Sequence, residues 1–298
     1  MTVEALGTSV GVPPEPAQRR NGLPARLAGF AIERKGAALG FILLTAIIAV
    51  AVFAPLVAPY DPNLTNWTAV RKPPSALHLL GTDETGRDVL SRVIYGARAS
   101  LLAGLTSVFL AMAAGIPLGL IAGMRGGWLD VLISRVTDAL LACPFLILAI
   151  ALAAFLGPSL TNAMIAIGVT TAPVMVLLTR AQVLGIKAED YIEAARAIGA
   201  SASRIAVFHV LPNALPALMV QAALSLARAI ISEASLSFLG LGQQPPEPSW
   251  GSMLYTAQRY LTNAPWMAIW PGLAIFVTVF SVNLLGDGLR DGLNPRER

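Results

Sequence analysis

The stretch SLLAGLTSVFLAMAAGIPLGLIAGM, Ser100 to Met124, holds 25 residues and not one charge. As a helix rising about 1.5 Å per residue it reaches about 37 Å, enough to cross a hydrocarbon layer of about 30 Å. A strand buried in a soluble α/β domain ends after about 4 to 8 apolar residues at a turn signal. This run does not end there, so its reading as a membrane span decides the fold class. Within it Gly115, Gly119 and Gly123 recur every four residues on one helix face, where a second helix backbone can approach closely. The spacing leaves open whether that neighbour lies in the same chain or in another subunit. Pro117 in the same run favours a kink.

Five more runs of this kind follow the same logic. GAALGFILLTAIIAVAVFAPLVA (Gly36 to Ala58) precedes it, and Trp128 to Leu156, Leu160 to Leu184, Ala214 to Leu239 and Pro265 to Leu289 come after. The expectation is an all-α integral membrane protein with six transmembrane helices. The composition agrees: 55% of the 298 residues are hydrophobic and 13% charged, outside the range of an ordinary soluble domain. Residues 1–35 read as a polar, Pro-rich and disordered tail, and 36–58 as a retained first span that starts too late for a cleaved signal. Residues 59–99 form an extracytoplasmic segment, and 100–298 a five-helix core with a cytoplasmic loop at 185–213.

Orientation comes from the basic residues. With the amino terminus inside, thirteen Lys and Arg fall on inner segments and six on outer ones, while Arg135 and Arg228 lie within spans. Both termini are thus expected in the cytoplasm. Cys143, the only cysteine, reads as a small core residue.

The inner stretch YIEAARAIGASASRIAVFHVLPN, Tyr191 to Asn213, breaks the apolar pattern. AEDYIEAARAIG predicts a short helix with Glu189, Asp190 and Glu193 at its amino end and Gly199 as a left-handed stop. Ser201 or Ser203 is placed to cap a second helix, RIAVFHV, which Pro212 must end or bend. Apolar Tyr191, Ala194, Ala195 and Ile198, then Ile205, Ala206 and Phe208, give each helix a sticky face. That face packs on its own helix ends or docks a soluble partner; the residues favour neither.

Glu193-Ala194-Ala195, Gly199 and Leu211-Pro212 in this spacing resemble the EAA loop of permease subunits in bacterial ATP-binding-cassette importers. His209 stands where that pattern often has isoleucine. HLLGTDETGRDVLSRVIYGARASL (His78 to Leu101), SRVTDALLACPFLILA (Ser134 to Ala149), EASLSFLGLGQQPPEPSWG (Glu233 to Gly251) and NLLGDGLRDGLNPR (Asn283 to Arg296) are similar to permeases of the dipeptide, oligopeptide and nickel family, C-subunit type. The resemblance implies a permease in the bacterial inner (plasma) membrane. Its partners would be a second permease subunit, two ATP-binding subunits and an extracytoplasmic solute-binding protein. It implies no cofactor in this chain, with ATP and Mg held by partner subunits. Glu193, Ala194, Ala195, Gly199, Ser201, Arg204, Leu211 and Pro212 are the implied coupling residues. Peptides are the expected cargo, with nickel or another small solute, or a secondary transporter, as alternatives.

Other motifs are weaker. GTDETGRD has the glycine spacing of a phosphate loop, but Arg87 and Asp88 stand where lysine and a hydroxyl are needed, and Asp83 and Glu84 repel phosphate. It reads as a solvated turn entering an amphipathic segment. Arg135 and Asp138 are spaced for an ion pair within one span. Glu233 is a candidate for the substrate path, since a peptide carries an ammonium group, and Trp250 for contact with the binding protein. No Ser/His/Asp set, metal-spaced histidines or paired acids are present, and catalysis is not expected.

Overall fold

The computed structural model describes residues 35–293, so the expected tail up to Arg34 and the last five residues lie outside it. Lys35 already belongs to α1 (Lys35–Val52). An irregular segment then leads to α2 (Val89–Arg125), followed by α3 (Gly127–Ala142), α4 (Phe145–Leu156), α5 (Leu160–Lys187), α6 (Asp190–Ala197), α7 (Leu211–Phe238), α8 (Trp250–Ala257) and α9 (Trp266–Leu293). Among the described residues five helices are long and apolar enough to cross a membrane, and a bent pair makes a sixth crossing if counted as one span.

That pair corrects the expected third span. The run from Trp128 to Leu156 is α3 and α4, bent by 94° at Cys143-Pro144. Pro144 has no N–H to donate, and its ring would strike the carbonyl four residues back, so the apolar run cannot stay one rod. The second span is also longer than its apolar core. α2 begins at Val89 because Asp88 caps it, its carboxylate accepting from Ser91 N at 2.8 Å. The amphipathic segment is therefore the first part of the membrane helix itself.

The glycine stripe finds its partner inside the chain. A Cβ added at Gly115 would lie 2.5 Å from Met175 Cβ, and one at Gly119 would lie 2.6 Å from both Thr179 Cβ and Val176 O. α2 and α5 are thus in backbone contact, a packing that only glycine permits at these positions. Small residues extend the pattern: Ala149 and Ala153 of α4, Ala163 and Ala166 of α5 and Ala229 of α7 surround Val108, Ile167 and Leu236 in the central core. α1 lies against α9 at Gly40, where a Cβ would come 2.7 Å from Ser281 O. Large side chains such as Phe109, Phe155 and Phe276 point outward, as lipid-facing surfaces require.

The expected Arg135–Asp138 pair does not form. Arg180 of α5 instead grips Asp130 of α3 through two bonds, Nε to Oδ1 at 2.5 Å and Nη2 to Oδ2 at 2.8 Å. A fork-to-fork pair between two helices satisfies both groups with better geometry than two residues on one helix can reach.

Candidate functional site

The segment from Asp190 to Pro212 folds as a knob on the ends of α2 and α5. α6 stops at Gly199, which adopts φ +85° with nothing within 4 Å of a Cβ. Its N–H donates to Arg196 O at 2.9 Å, and Ala200 N donates to Ala195 O at 3.0 Å, so the turn consumes carbonyls the helix end leaves free. Ser201 then caps the next helical turn, Ala202–Ile205, accepting from Arg204 N. The two short helices joined at a glycine are present as expected.

Pro212 acts differently from the expectation that it ends or bends the second helix. Residues Ala206–Val210 form a π-helical turn, Leu211 N donates five residues back to Ala206 O, and the chain continues directly into α7. Pro212 sits in the first turn of α7, where its missing N–H is tolerated. His209 O accepts from the Asn213 side chain at 2.7 Å. The π turn shifts the helical phase, which the 3.6-residue spacing used on the sequence does not contain.

The sticky face of the knob divides in two. Ile192, Ala195, Ile205 and Val210 are buried together with Val183 of α5, against Leu120 and Met124 of α2. Lys187 Nζ donates to Gly123 O and Met124 O at 3.3 and 3.0 Å, fastening the base of the knob to the carbonyl end of α2. Tyr191, Ile198, Val207 and Phe208 remain outside, with Ile198 86% and Phe208 70% exposed. Beside Phe208 an open cleft of about 660 Å³ is lined by Ser201, Ser203, Arg204, Val207 and His209. Of the residues that the resemblance implies for coupling, Ala195 is buried, Leu211 half-buried, and Glu193, Ala194, Gly199, Ser201, Arg204 and Pro212 are exposed. Ile192, Val207 and Val210 were not singled out from sequence; the first two follow from helical spacing, and Val210 only from the π turn.

On the opposite end, GTDETGRD is not a solvated turn. Asp83 is 5% exposed, and its carboxylate accepts from Thr85 N, Thr85 Oγ1, Arg87 N and Arg87 Nε at 2.6–3.0 Å. Arg87 also pairs with Glu84, and Arg92 approaches Asp83 at 3.5 Å while donating to Pro62 O at 2.8 Å. Trp266 Nε1 closes the loop by donating to Thr82 O at 3.1 Å. Burial, reinforced by the neighbouring Asp83 charge, raises the Glu84 carboxyl above its ordinary range. With acids occupying its centre, this knot has no place for a phosphate.

Glu233 and Trp250 share one internal junction. Glu233 is fully buried in α7, where Oε1 accepts from Ser237 Oγ at 2.7 Å and Oε2 has no hydrogen-bond partner, with Ser100 of α2 and Ser249 beside α8 close by. It lies where α7, α2 and the start of α8 meet. Trp250 is 2% exposed and donates from Nε1 to Val93 O at 3.0 Å, packing on Ala97, Leu101 and Ile230. The structure places it inside, with no exposed face to offer a partner. It is the anchor that fixes α8 to α2.

Comparison with known proteins agrees with this architecture. Residues 115–298 match the model of the binding-protein-dependent transport system inner membrane component family, and residues 32–74 match the N-terminal transmembrane domain of oligopeptide transport permease C. The chain is 48% identical over 270 residues to the di/tripeptide transport system permease protein DppC of Pseudomonas aeruginosa, covering 89% of each. It is 45% identical to the dipeptide transport system permease protein DppC of Alkalihalophilus pseudofirmus, covering 89% of this chain and 87% of that one. A glutathione transport system permease protein, GsiD of Escherichia coli, is 47% identical over 87% of this chain and 85% of its own length. Among solved structures, an inward-facing form of the MetNI methionine ABC transporter superposes with a TM-score of 0.59 at 22% identity, covering 69% of this chain and 97% of that one, a likeness of fold alone. By family match and by identity over most of its length, this chain belongs to the binding-protein-dependent transport system inner membrane components, as a multi-pass permease subunit.

Proposed function

We propose that the chain is one of two permease subunits of an ATP-driven peptide importer. Peptides reach it from an extracytoplasmic binding protein. ATP and Mg are bound and ATP is hydrolysed in two separate subunits, which seat on the knob between Glu193 and Pro212. The observation that carries this reading is the divided face of the knob. Its inner half is locked to α2 and α5, while Tyr191, Ile198, Val207 and Phe208 form an uncovered apolar rim around a cleft. Such a rim on a rigid base suits a partner that pushes. The excess of basic residues on the inner segments supports a cytoplasmic position for the knob and both termini. The names of the relatives, dipeptide, di/tripeptide and glutathione permeases, support peptide cargo.

The test is uptake of a labelled dipeptide into proteoliposomes holding this chain with its partner subunits. Uptake that requires both enclosed ATP and added binding protein is the expected result. Uptake driven by an ion gradient without ATP contradicts the proposal.

A further inference from the structure

Arg228 is an exposed cation in the middle of a membrane helix. It lies 17 residues from Leu211 and 10 from Phe238, about 26 Å and about 15 Å along the α7 axis, which puts it near the midplane of a layer about 30 Å thick. An arginine there is costly against lipid, so it faces protein or an aqueous cavity. Among the described residues it forms no ion pair, and its guanidinium has one hydrogen bond, from Nη2 to Ser225 Oγ at 3.4 Å.

The cavity beside it lies at the break of the third span. It encloses about 270 Å³ and is lined by Arg228, Thr170 and Thr171 together with Leu140, Cys143 and Pro144. α3 has 16 residues and α4 has 12, about 24 and 18 Å. Neither crosses the layer alone, so their joint lies within it. Interrupted backbone at that depth is tolerated only inside protein or along a water-filled cavity, because the last carbonyls of α3 have no intrahelical donors. The broken span and the unpaired cation therefore require the same thing, and they open on one cavity. Its volume is near the lower end of small-ligand sites, about 300–1,000 Å³, the scale of a short peptide.

We propose that Arg228 and the α3–α4 break form a carboxylate-binding station on the translocation path, at which the terminal carboxylate of a peptide cargo pairs with the guanidinium. This rests on the peptide-importer reading above. The competing occupant is a carboxylate of the second permease subunit.

Cys143, the only cysteine of the chain and a wall of the same cavity, gives a test independent of transport. The complete transporter in proteoliposomes is treated with an anionic or a cationic methanethiosulfonate reagent, and modification of Cys143 is followed by mass spectrometry. The anionic reagent is expected to react at least about five-fold faster in the wild type and in Arg228→Lys, and the preference is expected to vanish in Arg228→Gln. No reaction with either reagent, or an unchanged preference in Arg228→Gln, overturns the station. In parallel, Arg228→Gln is expected to lower dialanine uptake at least ten-fold while ATPase stimulation by the loaded binding protein persists. Unchanged uptake overturns the proposal, and so does loss of the assembled permease pair, which would assign Arg228 to the neighbouring subunit. If the wild type imports no peptide yet shows the reagent preference, the peptide reading fails and the anion site stands.

Discussion

Asn213 Nδ2 donates a 3.2 Å hydrogen bond to Tyr191 Oη. It joins the first turn of α7 to the first turn of α6, so the knob is tied across its mouth as well as packed at its base. Pressure on α6 is then passed to the long helix α7 with little slack. Asn213→Ala removes this tie and the bond to His209 O. The expected loss is about 1–2 kcal/mol of stability, since each exposed bond contributes about 0.5–1.5 kcal/mol, together with basal ATP hydrolysis in the assembled complex that no longer responds to the binding protein. Melting curves and ATPase rates measured on one preparation check both.

Gly199 separates backbone strain from packing. A Cβ at Gly199 meets nothing, so any cost of substitution comes from φ +85° alone. Gly199→Ala is expected to lower stability by about 1–2 kcal/mol. Gly199→Asn is expected to lose less, because asparagine visits this region more readily, and Gly199→Val more. An order of stability other than Asn, Ala, Val in thermal denaturation would contradict the left-handed stop.

Gly119 is the converse case, with an ordinary backbone and no room. Its Cβ would stand 2.6 Å from Thr179 Cβ and Val176 O, so Gly119→Ala forces α2 and α5 apart. A loss of about 1–3 kcal/mol is expected. Thr179→Gly removes only one of the two obstacles, the Thr179 Cβ, and leaves Val176 O, so the double variant is expected to recover part of the loss and not all. Denaturation midpoints of the four proteins form the cycle.

The raised Glu84 carboxyl gives a pH dependence with a fixed sign. Its ordinary value is 4.5, and burial raises it in the folded protein, so over the window above 4.5 the folded state holds more protons than the unfolded one. Stability from this group is full below that window and is lost as pH rises through the folded value. Glu84→Gln lacks the titration. The margin of wild type over Glu84→Gln in melting temperature is expected to be largest in acid and to shrink toward neutral pH.

The spans were legible because lipid requires about twenty apolar residues in a row, and no tertiary contact is needed to see that. The break at Cys143-Pro144 was missed, although the missing N–H of Pro144 signals it; hydropathy alone passes over it because both neighbours are apolar. Gly199 and Ser201 carry local signals and act as those signals say. Within the second helix the inner and outer positions were not separable, because the π turn at Ala206–Val210 changes the phase on which the spacing argument depends. The burial of Glu233 and Trp250 was hidden for another reason. Their surroundings come from Ser100, Val93 and Ile230, distant in sequence, and a polar or aromatic residue near a span end looks the same whether it faces in or out.

On the proposed function, the outer rim of the knob, and not its base, holds the ATP-hydrolysing subunits. This is tested most directly by purifying the transporter with Ile198→Asp and Phe208→Asp together and measuring how much ATP-binding subunit remains on the permease pair. At least a ten-fold loss of bound subunit is expected, with an unchanged melting temperature of the permease pair, since both side chains are exposed. Full retention of the ATP-binding subunits, with ATPase activity still stimulated by the binding protein, would contradict it.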